Sequence, residues 1–181
     1  MLMPFGSAFS VHNLGISRTQ LPMLYLITGV FSMAAGPIVG RLSDKKGKYT
    51  VFTIGTLISI VMVLIYCNLG ITPLWIVIIL NVILFFGIMA RIISSSALMT
   101  AIPDAKDRGA FMGINSSFQQ ISGGIASIIA GLIVTRKSDI SPVEHYDIVG
   151  YVVTGTSIIT LILLYYINQY IKRSLHITKA P

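Results

Sequence analysis

An all-α bundle of membrane-spanning helices is the fold class this sequence predicts, and three observations predict it. The 181 residues are 54% hydrophobic and only 10% charged, where a soluble domain carries about 25% charged residues. The apolar residues gather into runs of roughly 18 or more, the length that about 30 Å of hydrocarbon covers. Between those runs lie short connections where Lys and Arg collect, for a formal net charge of +7. Nucleic-acid binding would need those charges as a patch on a folded, water-facing surface. Their place between apolar runs instead fits the positive-inside rule of a polytopic membrane protein.

The elements follow in chain order from apolar length and connection chemistry. Met1 to Val11 is apolar but about half the length a span needs, and reads as a partial first helix over about 1–11. Full spans follow at about 21–42, 49–69, 73–102, 109–134 and 148–171. The third of these is long enough to tilt or to project past the bilayer. Trp75, Tyr49, Tyr151, Tyr165, Tyr166 and Tyr170 fall near span ends, where interfacial aromatics belong.

Orientation follows from the basic residues. Arg41, Lys45, Lys46, Lys48, Lys106, Arg108, Lys172, Arg173 and Lys179 share one side if each run crosses once, against Arg18, Arg136 and Lys137 beside the acids Asp139, Glu144 and Asp147 on the other. Nine against three puts the Gly40 loop and the C-terminus in the cytoplasm of a multi-pass protein of the cell membrane. Arg91 alone lies within an apolar run.

The connection Gly40–Lys48 reads GRLSDKKGK and fits G-x-x-x-D-[RK]-x-G-[RK] through Gly40, Asp44, Lys45, Gly47 and Lys48. This pattern resembles the signature loop of the major facilitator superfamily of secondary transporters. The stretch His12–Lys48 resembles a helix exit, outer loop and second helix of one half of such a protein. Arg108–Val134, RGAFMGINSSFQQISGGIASIIAGLIV, resembles the fifth helix of the C-terminal half of arabinose-efflux-type permeases. The resemblance covers nearly the whole chain. It implies one half of a twelve-helix major facilitator fold, here the C-terminal six-helix half, with the substrate site at the junction with a missing N-terminal half or another six-helix half. The implied task is proton-coupled efflux of a sugar or drug-like solute. The loop is blind to substrate, coupling ion and direction. A fragment, a split-gene product and a self-assembling half all fit the length.

Within that loop, Gly40 and Gly47 suit close helix approach or a positive φ in a tight turn. The resemblance implies that Asp44 and Lys48 act as a conformational latch, with Arg108 a partner for Asp44, while Lys45 and Lys46 set topology. The plain alternative is a solvated charged turn, since exposed ion pairs contribute roughly 0–1 kcal/mol.

Arg91 costs at least about 2.5–3.5 kcal/mol at mid-bilayer, so it faces a wet cavity, a partner or the headgroups. Ser94 and Ser95 follow on the same helical face. Arg91 either holds an anionic group on a substrate pathway or snorkels to the interface. Asn115, Gln119 and Ser122 form one stripe at i, i+4 and i+7, with Gln120 beside it. They line a passage or bridge helices, because amides in lipid must be paired or face water. Gly36 with Gly40 forms G-x-x-x-G, with Pro37 between them. Ser116, Gly124, Ser127 and Gly131 make a second small face, and Gly150 with Gly155 a third, all suited to helix packing.

Other chemistry is thin. Cys67 is the one cysteine, so no intrachain disulfide forms. His12, His145 and His176 show no metal spacing, and no Walker loop is present. No cofactor and no catalytic residues are expected. No Asp or Glu lies inside a full span, so a proton-carrying carboxylate would come from another half. The competing reading is a non-transporting six-helix membrane protein that acts as an assembly partner or scaffold.

Overall fold

The computed structural model describes residues 2–100, 102–135 and 141–178, with side chains to residue 170. The charges predicted at Arg136, Lys137, Asp139 and Lys179 lie outside the described residues, as do the side chains of Lys172 and Arg173. Six helices run α1 (Met3–His12), α2 (Leu21–Lys46), α3 (Lys48–Cys67), α4 (Leu74–Met99), α5 (Arg108–Ile133) and α6 (Tyr146–Thr178). Among the described residues the only β-type pairing is an isolated antiparallel bridge, Thr135 to Glu144.

Four helices are long and apolar enough to cross a bilayer: α2, α3, α4 and α6 through Tyr170. At 26 residues α5 spans about 39 Å. It falls outside that set because Asn115, Ser116, Ser117, Gln119 and Gln120 interrupt its apolar residues.

The connection expected over Arg41–Lys48 is nearly all helix. α2 continues to Lys46 and α3 starts at Lys48, so Gly47 is the only residue between them. The cause is electrostatic and steric together. Lys45 and Lys46 occupy the last turn of α2, where cations favour the carbonyl end of the helix dipole. Gly47 then takes φ 92° and ψ 137°, a turn that side-chain-bearing residues resist. Its N–H donates to the Ser43 carbonyl and its own carbonyl accepts from Val51 N–H. Pro37 lies inside the uninterrupted α2. At the far end of α3 the chain turns through Asn68, and Pro73 caps α4.

α3 is the centre of the packing. It lies against α4 and α6, while α2 packs mainly on α4. The closest approach is between α3 and α4. A Cβ on Gly55 would sit 2.6 Å from Ala90 Cβ and 2.9 Å from the Gly87 carbonyl, and one on Gly87 would meet Ser59 Oγ at 2.7 Å. Without side chains at Gly55 and Gly87 the two backbones touch, which is how helices gain contact where lipid supplies no hydrophobic drive.

The main apolar cluster gathers where α1, the ends of α3 and α5, and the starts of α2, α4 and α6 meet. Phe9, Leu14, Leu24, Tyr66, Val77 and Val149 are its centre. Phe9 stacks on Tyr146 with centroids 4.1 Å apart and tilts against Tyr66 at 5.6 Å. A small cluster under Gly47 joins Val39, Val51 and Ala90, and another joins Phe52, Leu98 and Leu164.

α5 differs from the rest. Of its 26 residues only Ala130 is buried. Ile114, Phe118, Ile121, Ile125, Ile128 and Leu132 are each more than half exposed.

Candidate functional site

The first candidate region is the junction of α2 and α3. Ser43 is buried, whereas Asp44, Lys45 and Lys46 are exposed. The Lys48 ammonium reaches across and donates to the Ala97 carbonyl at 3.1 Å, near the C-terminal end of α4. The same carbonyl also accepts from Thr100 Oγ1 at 3.1 Å, and a cation suits that end of a helix. Ser94 Oγ, fully buried, donates to Ser43 Oγ at 3.4 Å and links α4 to α2 one turn away. Asp44 and Arg108 are both exposed and form no ion pair among the described residues. Lys48 therefore braces α4 in this conformation, and Asp44 does not meet Arg108.

Gly40 and Gly47 separate here. Gly47 needs its positive φ, whereas Gly40 is helical and has open space where a Cβ would stand.

The second region surrounds Arg91. Its Nη1 donates to Ser157 Oγ of α6 at 3.2 Å. The guanidinium lines an open cleft of about 470 Å³ between α4, α5 and α6, together with Ser122, Thr156 and Ser157. Its apolar walls include Ile125, Ile129 and Val153. Arg91 and Ser94 share a helical stripe yet serve different neighbours, Arg91 facing α6 and Ser94 facing α2. Ser95 bonds back to the Ile92 carbonyl on its own helix.

The α5 stripe divides as well. Ser122 joins Arg91 at the cleft. Asn115 is half-buried and Gln119 exposed, and among the described residues neither amide has a hydrogen-bond partner. Hence, among the described residues, these amides do not bridge helices.

The small residues expected to pack tell a similar story. A Cβ at Gly36 or Gly124 would meet no described atom within 4 Å, and one at Gly131 would meet only the Phe5 ring tip, at 3.9 Å. Ser127 donates to the Gly123 carbonyl of its own helix. Gly155 is open, but Gly150 packs on Cys67, where a Cβ would sit 2.9 Å from Sγ. The tight contacts at Gly55 and Gly87 were missed, although Gly55-x-x-x-Ser59 and Gly87-x-x-Ala90 carried the small-residue spacing that could have found them.

A polar clamp at the opposite end from Gly47 was also missed. The Asn13 amide bonds the Val143 backbone, joining the end of α1 to the segment before α6. Beside it, Ser10 and Tyr66 share a hydroxyl–hydroxyl bond at 3.1 Å. The signal was an Asn two residues after the apolar N-terminal run. Among the described residues no three His, Cys, Asp or Glu side chains gather as a metal would require.

The comparisons with known proteins bear on this geometry. The family model described as Major Facilitator Superfamily matches residues 1–180. No curated protein matches, and no solved structure matches.

Proposed function

This chain belongs to the major facilitator superfamily, a family of membrane transporters, and from that premise we propose that it acts as one six-helix half of a secondary transporter. In this reading the chain works with a second six-helix half, and a solute passes between the halves by alternating access. In this reading α5 crosses the membrane with its uncovered face toward the second half. The solute is a sugar or a drug-like molecule exported at the expense of a proton gradient across the cell membrane. The Gly40 loop and the C-terminus face the cytoplasm, and the chain works as a C-terminal half of the arabinose-efflux type.

The observation that carries the reading is the uncovered face of α5. Among the described residues Asn115 and Gln119 have no hydrogen-bond partner there, beside exposed glycines and isoleucines. An amide in hydrocarbon must be paired or face water. A second half or an aqueous passage supplies what lipid cannot. The open faces at Gly36 and Gly124 support the same view, since small residues suit close approach by another helix. On this reading Arg91, Ser94, Ser95, Asn115, Gln119 and Ser122 belong to the substrate pathway. Gly40, Asp44, Lys45, Gly47, Lys48 and Arg108 form a latch loop between conformations. Arg91 bonds within the chain, to Ser157, which is also what the scaffold reading expects of it, so the unpaired amides of α5 are what separate the two readings.

The test is transport in sealed membrane vesicles with an imposed pH gradient. Vesicles carrying this chain alone are compared with vesicles carrying it joined to an N-terminal six-helix half, using a labelled pentose and a cationic dye as solutes. Gradient-driven movement of either solute with the joined protein supports the reading. No movement of either solute from either preparation favours the scaffold.

A further inference from the structure

We propose that the cleft between α4, α5 and α6 is a binding site for an oxyanion carried on an apolar body, held by Arg91 together with the hydroxyls of Ser122 and Ser157. This names a ligand chemistry for one part of the proposed pathway, and it rests on that reading only for the idea that Arg91 belongs to a pathway.

Arg91 is a cation partway along a helix apolar enough to cross a bilayer. A charge there needs a partner or water. Among the described residues its one hydrogen bond runs to a neutral serine and no carboxylate pairs with it. A guanidinium has more N–H donors than this bond uses. Ser157 accepts from Arg91, so its own hydroxyl proton is left to donate. Ser122 has no partner among the described residues and can donate too. Thr156 is different, because its hydroxyl already donates to the backbone carbonyls of Val152 and Val153. Among its described lining residues the cleft therefore sets one cation beside three hydroxyls, with no acidic side chain to balance the charge. Hydroxyls serve neutral and charged solutes alike, whereas the unbalanced guanidinium favours a carboxylate, phosphate or sulfonate.

The walls supply the second half of the chemistry. Ile125 and Ile129 of α5 border the same cleft, so the oxyanion would be accompanied by an aliphatic or aromatic stem. At about 470 Å³ the cleft lies within the size range of small-ligand sites. Both a phospholipid headgroup resident in the bilayer and a soluble organic anion have this chemistry.

The experiment measures binding to the full chain in neutral maltoside detergent, with no gradient. One arm follows retention of dioleoylphosphatidylglycerol by native mass spectrometry. The other follows the thermal unfolding midpoint with hexyl phosphate, against hexyl glucoside as the uncharged control. The proteins are wild type, Arg91→Gln, Arg91→Lys and Ser122→Leu. Arg91→Gln removes an intramembrane charge, and Ser122→Leu blocks the cleft from α5 while keeping Arg91. Wild type is expected to bind at least one anion about tenfold tighter than Arg91→Gln, with Arg91→Lys between them and Ser122→Leu weakened. Binding of the lipid alone assigns a resident lipid, and binding of hexyl phosphate assigns a soluble ligand. Equal binding by wild type and Arg91→Gln, or a response to hexyl glucoside as large as to hexyl phosphate, overturns the proposal. A silent transport assay leaves this result standing, and a failed binding assay leaves the transport reading open.

Discussion

The side-chain amide of Asn13 and the backbone of Val143 bond in both directions. Asn13 Nδ2 donates to the Val143 carbonyl at 3.0 Å, and the Val143 N–H donates to Asn13 Oδ1 at 2.8 Å. One side chain thus stands in for a strand neighbour and ties residues 130 positions apart. Asn13→Ala leaves a buried backbone donor and acceptor unmatched. The expected cost is about 1–3 kcal/mol of stability, and Asn13→Asp is expected to fall short of rescue because it keeps the acceptor and loses the donor. Reversible unfolding in mixed micelles checks this, and equal midpoints for all three proteins would contradict it.

Gly47 is the only residue between α2 and α3, and its φ of 92° with ψ of 137° lies where a Cβ is strained. The nearest side-chain atom to a Cβ there is Thr50 Oγ1 at 3.8 Å, so crowding is not the obstacle. Backbone conformation is. Gly47→Ala is expected to cost about 1–3 kcal/mol, while Gly40→Ala, on an open helical face, is expected to change stability by less than about 0.5 kcal/mol. The two substitutions separate a turn glycine from a helix glycine in the same motif.

Much of the fold was legible in the sequence because membrane burial imposes length and composition on each element. Five long apolar runs became five long helices, and the apolar stub became α1. The connection at Arg41–Lys48 was misjudged because charge density was taken to mean loop. Basic residues suit the last turn of a helix, so only Gly47 breaks the run. The site was less legible. Helical periodicity placed Arg91, Ser94 and Ser95 on one face, but a helix packed between neighbours offers several directions within that face. Arg91 therefore met Ser157 while Ser94 met Ser43. Small-residue spacing marks faces able to pack without saying which have a partner in the same chain. Gly55 and Gly87 have one, and Gly36 and Gly124 do not.

That difference is itself testable. Gly55→Val places branched carbons where Ala90 and the Gly87 carbonyl stand within 3 Å of even a single Cβ. The α3–α4 contact must open, at an expected cost of about 1–3 kcal/mol or more. A Cβ at Gly124 meets no described atom within 4 Å, so folding with Gly124→Val is expected to be unchanged within about 0.5 kcal/mol. If the α5 face meets a second half, Gly124→Val weakens that association instead. Unfolding of the chain alone, followed by co-purification with a tagged second half, reads the two effects apart.

Asp44 is exposed and forms no ion pair among the described residues, whereas Lys48 is bonded to the Ala97 carbonyl. On the proposed latch role Asp44, idle in this conformation, acts in the other, because only a differential interaction shifts an equilibrium between states. Asp44→Ala is therefore expected to leave unfolding of the isolated chain unchanged and to lower transport by the assembled protein. Lys48→Met is expected to alter both, since it removes a contact already made here. The pairing of Asp44 with Arg108 is resolved by a double-mutant cycle read in both assays. Coupling absent from stability but present in transport places the ion pair in the alternate conformation. Additive effects in transport would remove Arg108 from the latch, and full transport by Asp44→Ala would leave the acidic residue as a solvated surface charge.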